Sequence, residues 1–189
     1  AAKFGNFDAI NKLGDLYING QYVEQNITKG LEYYEQAAKF GNIIALSNLI
    51  NFYLNGKYVE RNITKVLEYL EQATKFDDNN ALTILENLYS NGQYVERNIS
   101  KVLEYYEQAA KLGKVNATIY LADCYLNGRY VEQNITKSIE YLEKAMKLGD
   151  STPLCYLGNL YSNGQYVERN ITKSNEYYEQ AAKLGNIIA

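Results

Sequence analysis

Residues 13–34 read LGDLYINGQYVEQNITKGLEYY, and the way this stretch returns along the chain decides the fold. Its loop triplet Tyr22-Val23-Glu24 recurs at Tyr58, Tyr94, Tyr130 and Tyr166, each 36 residues after the last, with no insertion or deletion. The neighbouring positions keep the same register. Gly20 heads a column with Gly56, Gly92, Gly128 and Gly164; Tyr17 heads one with Tyr53, Tyr89, Tyr125 and Tyr161. Tyr33 is followed by Tyr69, Tyr105, Tyr141 and Tyr177, and Ala37 by Ala73, Ala109, Ala145 and Ala181. A fixed period of this size marks stacked supersecondary units that cannot bury their apolar faces singly.

Each unit reads as two helices. The first opens near Asn6 or Asp8, whose short polar side chains accept a free backbone N–H. It carries Ala9, Ile10, Leu13, Leu16 and Tyr17 at helical spacing and stops at Asn19-Gly20, where glycine supplies a left-handed turn. After a loop over Gln21 to Gln25, Asn26 caps a second helix from about Ile27 to Lys39. Its apolar stripe is Leu31, Tyr34 and Ala38, flanked by Ile27 and Ala37. Glu35 and Lys39 lie four apart in the favourable order, in every copy, and Gly41 closes the unit. Helices of about three turns are marginal alone in water. The expectation is an all-α array of five repeats, 6–41, 42–77, 78–113, 114–149 and 150–185, spanning residues 1–189 as one domain. Residues 1–5 match the close of a second helix (Ala37 to Gly41) and residues 186–189 the start of a first (Asn42 to Ala45). They are therefore expected to be pieces of flanking repeats in a longer array.

Composition narrows the function. The 189 residues are 47% hydrophobic and 22% charged, with a net charge of −3 and acids and bases interleaved. Nucleic-acid grooves need clustered Lys and Arg, so none is expected here. No apolar run approaches the roughly 18 residues of a membrane span. There is no His, which removes the usual general base, triad member and metal ligand. The cysteines, Cys124 and Cys155, are too few for a zinc site or a disulfide framework and read as free buried thiols. No enzyme activity and no cofactor are expected.

These residues resemble the Sel1-like repeat, a relative of the tetratricopeptide repeat. The matching positions are Ala9, Leu13-Gly14-Asp15-Leu16-Tyr17, Gly20-Gln21-Tyr22-Val23, Asn26, Lys29-Gly30, Tyr33-Tyr34, Ala37-Ala38 and Gly41. Three departures stand out. The family's second loop glycine is Tyr in every copy, Asn replaces the capping Asp, and the glycine of Leu-Gly is Ile50, Glu86 and Ala122 in the middle copies. The bulkier residues there are expected to push paired helices apart. The resemblance implies a right-handed α-solenoid and an adaptor that holds a protein or peptide partner, often within a larger assembly. A cysteine-rich secreted subset is linked to β-lactam binding and hydrolysis; this chain lacks its cysteines, so a hydrolase is a distant third reading. The second is a structural spacer or stacking subunit.

In related helical-pair solenoids the first helices line the concave face. By register, Asp8, Asn11, Lys12, Asp15 and Ile18 point outward there. The column Lys12, Asn48, Ile84, Tyr120 and Tyr156 varies between copies. The adjacent column Asp15, Asn51, Asn87, Asp123 and Asn159 is always a short acid or amide, suited to bonding an extended peptide backbone. These ten positions are the candidate partner site, with Tyr120 and Tyr156 as anchors. Leu13, Tyr17, Gly20, Asn26, Tyr33, Ala37 and Gly41 are read as structural.

Other features have plainer readings. Asn26-Ile27-Thr28 and its copies fit a glycosylation acceptor, but capping explains their spacing. A cytoplasmic location is expected, with secretion the alternative those motifs open. Asn175 breaks an otherwise aliphatic column and reads as a buried amide or a loosely packed unit. Asp77-Asp78 reads as a solvated turn or an acidic contact point.

Overall fold

The computed structural model describes residues 6–76 and 78–185. Among them ten helices follow one another without a strand: α1 (Phe7–Asn19), α2 (Ile27–Lys39), α3 (Ile43–Asn55), α4 (Ile63–Lys75), α5 (Asn79–Asn91), α6 (Ile99–Lys111), α7 (Val115–Asn127), α8 (Ile135–Lys147), α9 (Thr152–Asn163) and α10 (Ile171–Lys183). The expected extents of the first two are met at both ends. Asp77 and the end segments 1–5 and 186–189, with the flanking-repeat reading placed on them, lie outside the described residues.

The ends of the helices follow from single side chains. Asn26 Oδ1 accepts from Lys29 N at 2.9 Å, and Asn62, Asn134 and Asn170 do the same for Lys65, Lys137 and Lys173 at 3.0, 2.9 and 2.9 Å. Each satisfies one of the N–H groups that a helix start leaves open. Gly20 ends α1 at φ 67°, with its N–H bonded to Leu16 O, a conformation that costs glycine little. The loop is then tied back twice. Asn26 N donates to Tyr17 O at 2.9 Å, and Gln25 Nε2 donates to Ile18 O at 2.8 Å. Arg97, Gln133 and Arg169 reach the matching carbonyls of Ser90, Leu126 and Ser162. Asp78, read from sequence as part of a solvated turn or an acidic contact point, is buried at 8% exposure and caps α5 by accepting from Asn80 N at 2.9 Å.

The chain divides into two compact units, residues 1–98 and 99–189. In the first, α1 packs on α2, α2 on α3, α3 on α4 and α4 on α5; in the second, the same order runs from α6 to α10. The cores are built from the repeated columns. Ala45, Leu46, Leu49, Val66, Leu70 and Ala73 are sealed in the first unit, and Ala117, Leu121, Leu142, Leu154 and Leu157 in the second. Leu13 differs from its copies. It is 39% exposed, whereas Leu49, Leu85, Leu121 and Leu157 are buried, because no helix precedes α1 among the described residues to cover that side. Asn175 is exposed rather than buried, so its amide incurs no desolvation penalty.

Helix pairs come close where a glycine allows it. A Cβ at Gly14 would lie 2.6 Å from the Tyr34 ring, and one at Gly158 would lie 2.6 Å from the Tyr178 ring. Where the glycine column holds Ile50 or Ala122, the matching second-helix position holds Leu70 or Leu142 instead of tyrosine, all four buried. In these two repeats bulk added on one helix is removed from the other; the third repeat keeps tyrosine, with Glu86 and Tyr106.

Candidate functional site

The ten candidate residues lie on α1, α3, α5, α7 and α9, at two positions one turn apart. In the first unit Lys12 is exposed and its Nζ sits 3.1 Å from Asp15 Oδ2. Asn51 and Asn87 are exposed, and Asn48 and Ile84 half-buried. In the second unit Tyr156 is 42% exposed and Asn159 is exposed. Two of the expected outward residues point the other way: Asn11 and Ile18 are 3% and 2% exposed. Ile18 fills the space that a side chain on Gly30 would occupy, with its Cγ1 2.6 Å from where that Cβ would stand.

Several of these groups already have work inside the fold. Tyr34 OH donates to Asp15 Oδ1 at 2.7 Å, and Tyr178 OH donates to Asn159 Oδ1 at 2.7 Å. The short acid or amide therefore holds the hydroxyl of the same tyrosine that the glycine one position earlier admits. Burial first, and then the bond to Asp15, raise the Tyr34 hydroxyl pKa well above the ordinary 10.0. Tyr120, read as an anchor, has its ring stacked on Tyr106 at 3.6 Å between centroids, with the Arg129 guanidinium 4.7 Å from its centre. Asp123 accepts from Asn127 at 2.7 Å and faces Arg129 at 4.0 Å. Cys124, buried beside them, is a free thiol raised in pKa by that burial; Cys155 is also free and half-buried. Among the candidates, Asn51, Asn87 and Tyr156 are exposed, and Lys12 is exposed with its ammonium paired to Asp15.

A second set of residues, on the helix pairs, was not legible as a site. Tyr17 stacks on Tyr33 at 5.6 Å, Tyr53 on Tyr69 at 6.1 Å, Tyr125 on Tyr141 at 5.7 Å and Tyr161 on Tyr177 at 5.9 Å. A lysine from the second helix closes three of these pairs, with Lys29, Lys65 and Lys173 donating to Tyr17, Tyr53 and Tyr161 at 2.8, 2.8 and 2.7 Å. Those bonds raise the lysine pKa above 10.5 against the opposing effect of desolvation. Glu35, which spacing pairs with Lys39, accepts from Tyr69 OH of the next repeat at 3.0 Å and lies 3.8 Å from Lys65. The tyrosine columns are therefore packing residues with their hydroxyls turned to a polar edge, as expected of aromatic side chains with one wet end.

The loops hold a strained element. Tyr22, Tyr58 and Tyr130 have φ of 64°, 70° and 71°, left-handed values that cost a side chain about 1–2 kcal/mol relative to glycine. This is the loop position where the resembled pattern has its second glycine. The sequence signal was there, in the replacement of that glycine by tyrosine in all five copies.

Comparison with known proteins agrees with this geometry. The Sel1 repeat model matches five segments, residues 7–42, 44–75, 87–114, 115–150 and 154–186. A Sel1 repeat protein from Oxalobacter formigenes is 24% identical over 97% of this chain and 75% of its own, with a TM-score of 0.61. A protective antigen present in uropathogenic Escherichia coli strains, displaying an SLR fold, is 26% identical over 96% of this chain, with a TM-score of 0.62. The chain spans 39% of that antigen. Among curated proteins none matches the chain. No helix of the described residues is long and apolar enough to cross a membrane.

Proposed function

The chain belongs to the Sel1 repeat family, and we propose that it is a scaffold that holds a protein or peptide partner on the outward side of its first helices. Sel1-repeat proteins generally mediate protein–protein interaction and are typically non-enzymatic. The observation that carries the placement is a contrast within each first helix. The leucine and tyrosine positions of Leu49 and Tyr53 are the same in all five copies and both are sealed in α3, while the column Lys12, Asn48, Ile84, Tyr120 and Tyr156 changes from copy to copy, with Lys12 exposed in one unit and Tyr156 in the other. A side chain needed only for packing is repeated, and one that reads a partner differs with what it reads. The short amides offer both a donor and an acceptor to an extended backbone, and Tyr156 offers a large amphipathic ring.

The test is affinity capture from the native source with the wild type and with two variants, Asn51→Ala with Asn87→Ala, and Tyr156→Ala with Lys12→Glu. None of these residues seals a core, so circular dichroism should be unchanged. Loss of a captured protein from either variant supports the placement. Identical capture by all three removes the partner from this face and favours the spacer reading.

A further inference from the structure

The turns that follow α6 and α8 stand apart from the first-helix face and carry a separate inference. Residues 108–118 and 144–154, which span these turns, hold four lysines (Lys111, Lys114, Lys144 and Lys147) and one acid, Asp150, in a chain whose net charge is −3. The matching stretches of the first unit, 36–46 and 72–82, hold two lysines, Lys39 and Lys75, and two acids, Asp77 and Asp78. Two of the four lysines are peculiar to the second unit. Lys144 stands where the other copies have Gln36, Gln72, Gln108 and Gln180. Lys114 stands where α1, α3 and α5 have the caps Asn6, Asn42 and Asp78, each of which accepts a helix N–H. At the start of α7 it makes no side-chain cap bond, and its charge opposes the dipole of a helix N-terminus. The replacement trades a cap for positive charge. Asp150 is spent on α9, accepting from Thr152 N at 2.6 Å. Lys111 and Lys147 are exposed, and among the described residues neither ammonium has an ion pair or hydrogen bond, although Glu107 and Glu143 stand four residues before them.

Beside these lysines Leu112 and Leu148 are 64% and 42% exposed. Leu148 is so although α6 and α7 precede it and α9 and α10 follow it within the same unit. The backbone around the two leucines is closed. The N–H groups of Leu112, Gly113, Lys114, Leu148 and Gly149 all donate to carbonyls of α6 and α8, and Lys144 Nζ donates to Ala110 O at 3.0 Å. The space over the turn glycines is open: a Cβ on Gly149 would meet nothing within 4 Å, and one on Gly113 only Leu148 at 3.9 Å. An edge with no wall over its turns and no spare N–H on them gives an extended peptide little to hold. It presents apolar tips and ammonium groups, the two elements that together keep a protein at an anionic membrane surface.

We propose that this edge of the second unit rests on an anionic lipid surface, with Leu112 and Leu148 among the headgroups and the four lysines against their negative charges. The chain has no Trp, so Leu112→Trp puts a single reporter on the edge of the full chain. Vesicles of phosphatidylcholine with about 30% phosphatidylserine should shift its emission to the blue, and brominated acyl chains should quench it, whereas phosphatidylcholine alone should do neither. Lys114→Asn with Lys144→Gln returns both positions to residues that other copies use. In co-sedimentation with the anionic vesicles this variant should bind about tenfold more weakly at low salt, and the gap should narrow at high salt. Its melting temperature should hold or rise, because α7 regains a cap. Lipid binding and stability then move in opposite directions, which a folding defect would not produce. The proposal is overturned if the anionic vesicles leave Leu112→Trp unshifted, if neutral vesicles bind equally, or if the lysine variant binds as the wild type does. A blue shift with a soluble peptide of alternating Glu and Leu, and none with vesicles, assigns the edge to an acidic protein segment and overturns the lipid reading. Asn51→Ala with Asn87→Ala should bind vesicles as the wild type does, so failure of the first-helix placement leaves this inference standing.

Discussion

Gly158 and Tyr178 form a pair whose two halves should fail separately and recover together. Gly158→Ala places a Cβ in the interior of α9, 2.6 Å from Tyr178 Cε1 and 2.9 Å from Cδ1 and Cζ. Carbon atoms rest at about 3.5–4.0 Å, so the ring must retreat by roughly 1 Å, and overpacking of this kind costs about 1–3 kcal/mol. The retreat also loosens the 2.7 Å bond from Tyr178 OH to Asn159, a contribution of about 0.5 kcal/mol at an exposed acceptor. Against this, alanine is favoured over glycine in a helix interior by about 1 kcal/mol. The net expectation is a loss of about 0.5–2.5 kcal/mol. Tyr178→Leu alone leaves a gap over Gly158 and loses the hydroxyl, a cost of about 1–3 kcal/mol. The double variant rebuilds the Ala122 and Leu142 arrangement already buried in the preceding repeat. It keeps the helix-propensity gain and removes the overlap. The two changes should couple by about 1–3 kcal/mol in the stabilising direction. Urea unfolding of the full chain by circular dichroism, with hydrogen exchange of the α9 and α10 amides as the local measure, reads all four corners of the cycle. Coupling within about 0.5 kcal/mol of zero would refute the reasoning, as would Gly158→Ala gaining the full propensity increment by itself.

The loop strain predicts a difference between equivalent tyrosines. Tyr22→Gly should stabilise by about 0.5–1 kcal/mol, the left-handed penalty less the entropy glycine adds to the unfolded chain. Tyr58→Gly should be near neutral, because it also removes the edge contact with Phe52 at 5.4 Å and the Lys57 contact; equal gains at both would be wrong. Asn62→Ala should cost about 1 kcal/mol through loss of the α4 cap, and Asn62→Asp should not, in the same unfolding assay. Stability should fall as pH rises through about 10. Tyr34 and Tyr69 have folded pKa values raised above 10.0, so the unfolded chain loses its protons first. Their contribution is whole below pH 10 and is lost as pH climbs toward the folded values. Lys65, raised above 10.5, acts in the same direction. The melting temperature of Tyr34→Phe with Tyr69→Phe should decline less between pH 9 and 11 than that of the wild type; parallel declines would exclude these hydroxyls as the cause.

Helix existence and extent were legible because each depends on one or two residues next to each other. Asn26 and the Asn19-Gly20 step sufficed for α1 and α2. The orientation of a helix in the array depends on neighbours far away in sequence, and here the reading by period went astray. Ile18 turns inward because Gly30, twelve residues on, leaves it room. Glu35 leaves its i+4 lysine for a tyrosine hydroxyl 34 residues away. Asp15 looked like a free acid because helix propensity has no use for it; its use is Tyr34, nineteen residues downstream. That last link had a trace in four of the five copies, since glycine at 14 and 158 accompanies tyrosine at 34 and 178, and Ile50 and Ala122 accompany leucine at 70 and 142; the third copy, with Glu86 and Tyr106, departs from it.

The same pairing explains why some positions of the acid and amide column are free to meet a partner and others are not. Where glycine admits a tyrosine, as in the first and last repeats, the hydroxyl arrives beside the acid or amide and takes up one of its acceptor oxygens. Where leucine takes the tyrosine's place, no such hydroxyl arrives: Asp123 accepts from Asn127 of its own helix and faces Arg129 of the following loop, and Asn51 is exposed. Core packing on one side of a first helix thus sets the hydrogen-bonding capacity of its other side, through a side chain of the second helix that touches both. Changing Leu70 to Tyr with Ile50 to Gly would move a hydroxyl toward Asn51 without touching the exposed face. A partner that bonds Asn51 would then be weakened by a change it never contacts, whereas one held by Lys12 or Tyr156 would not.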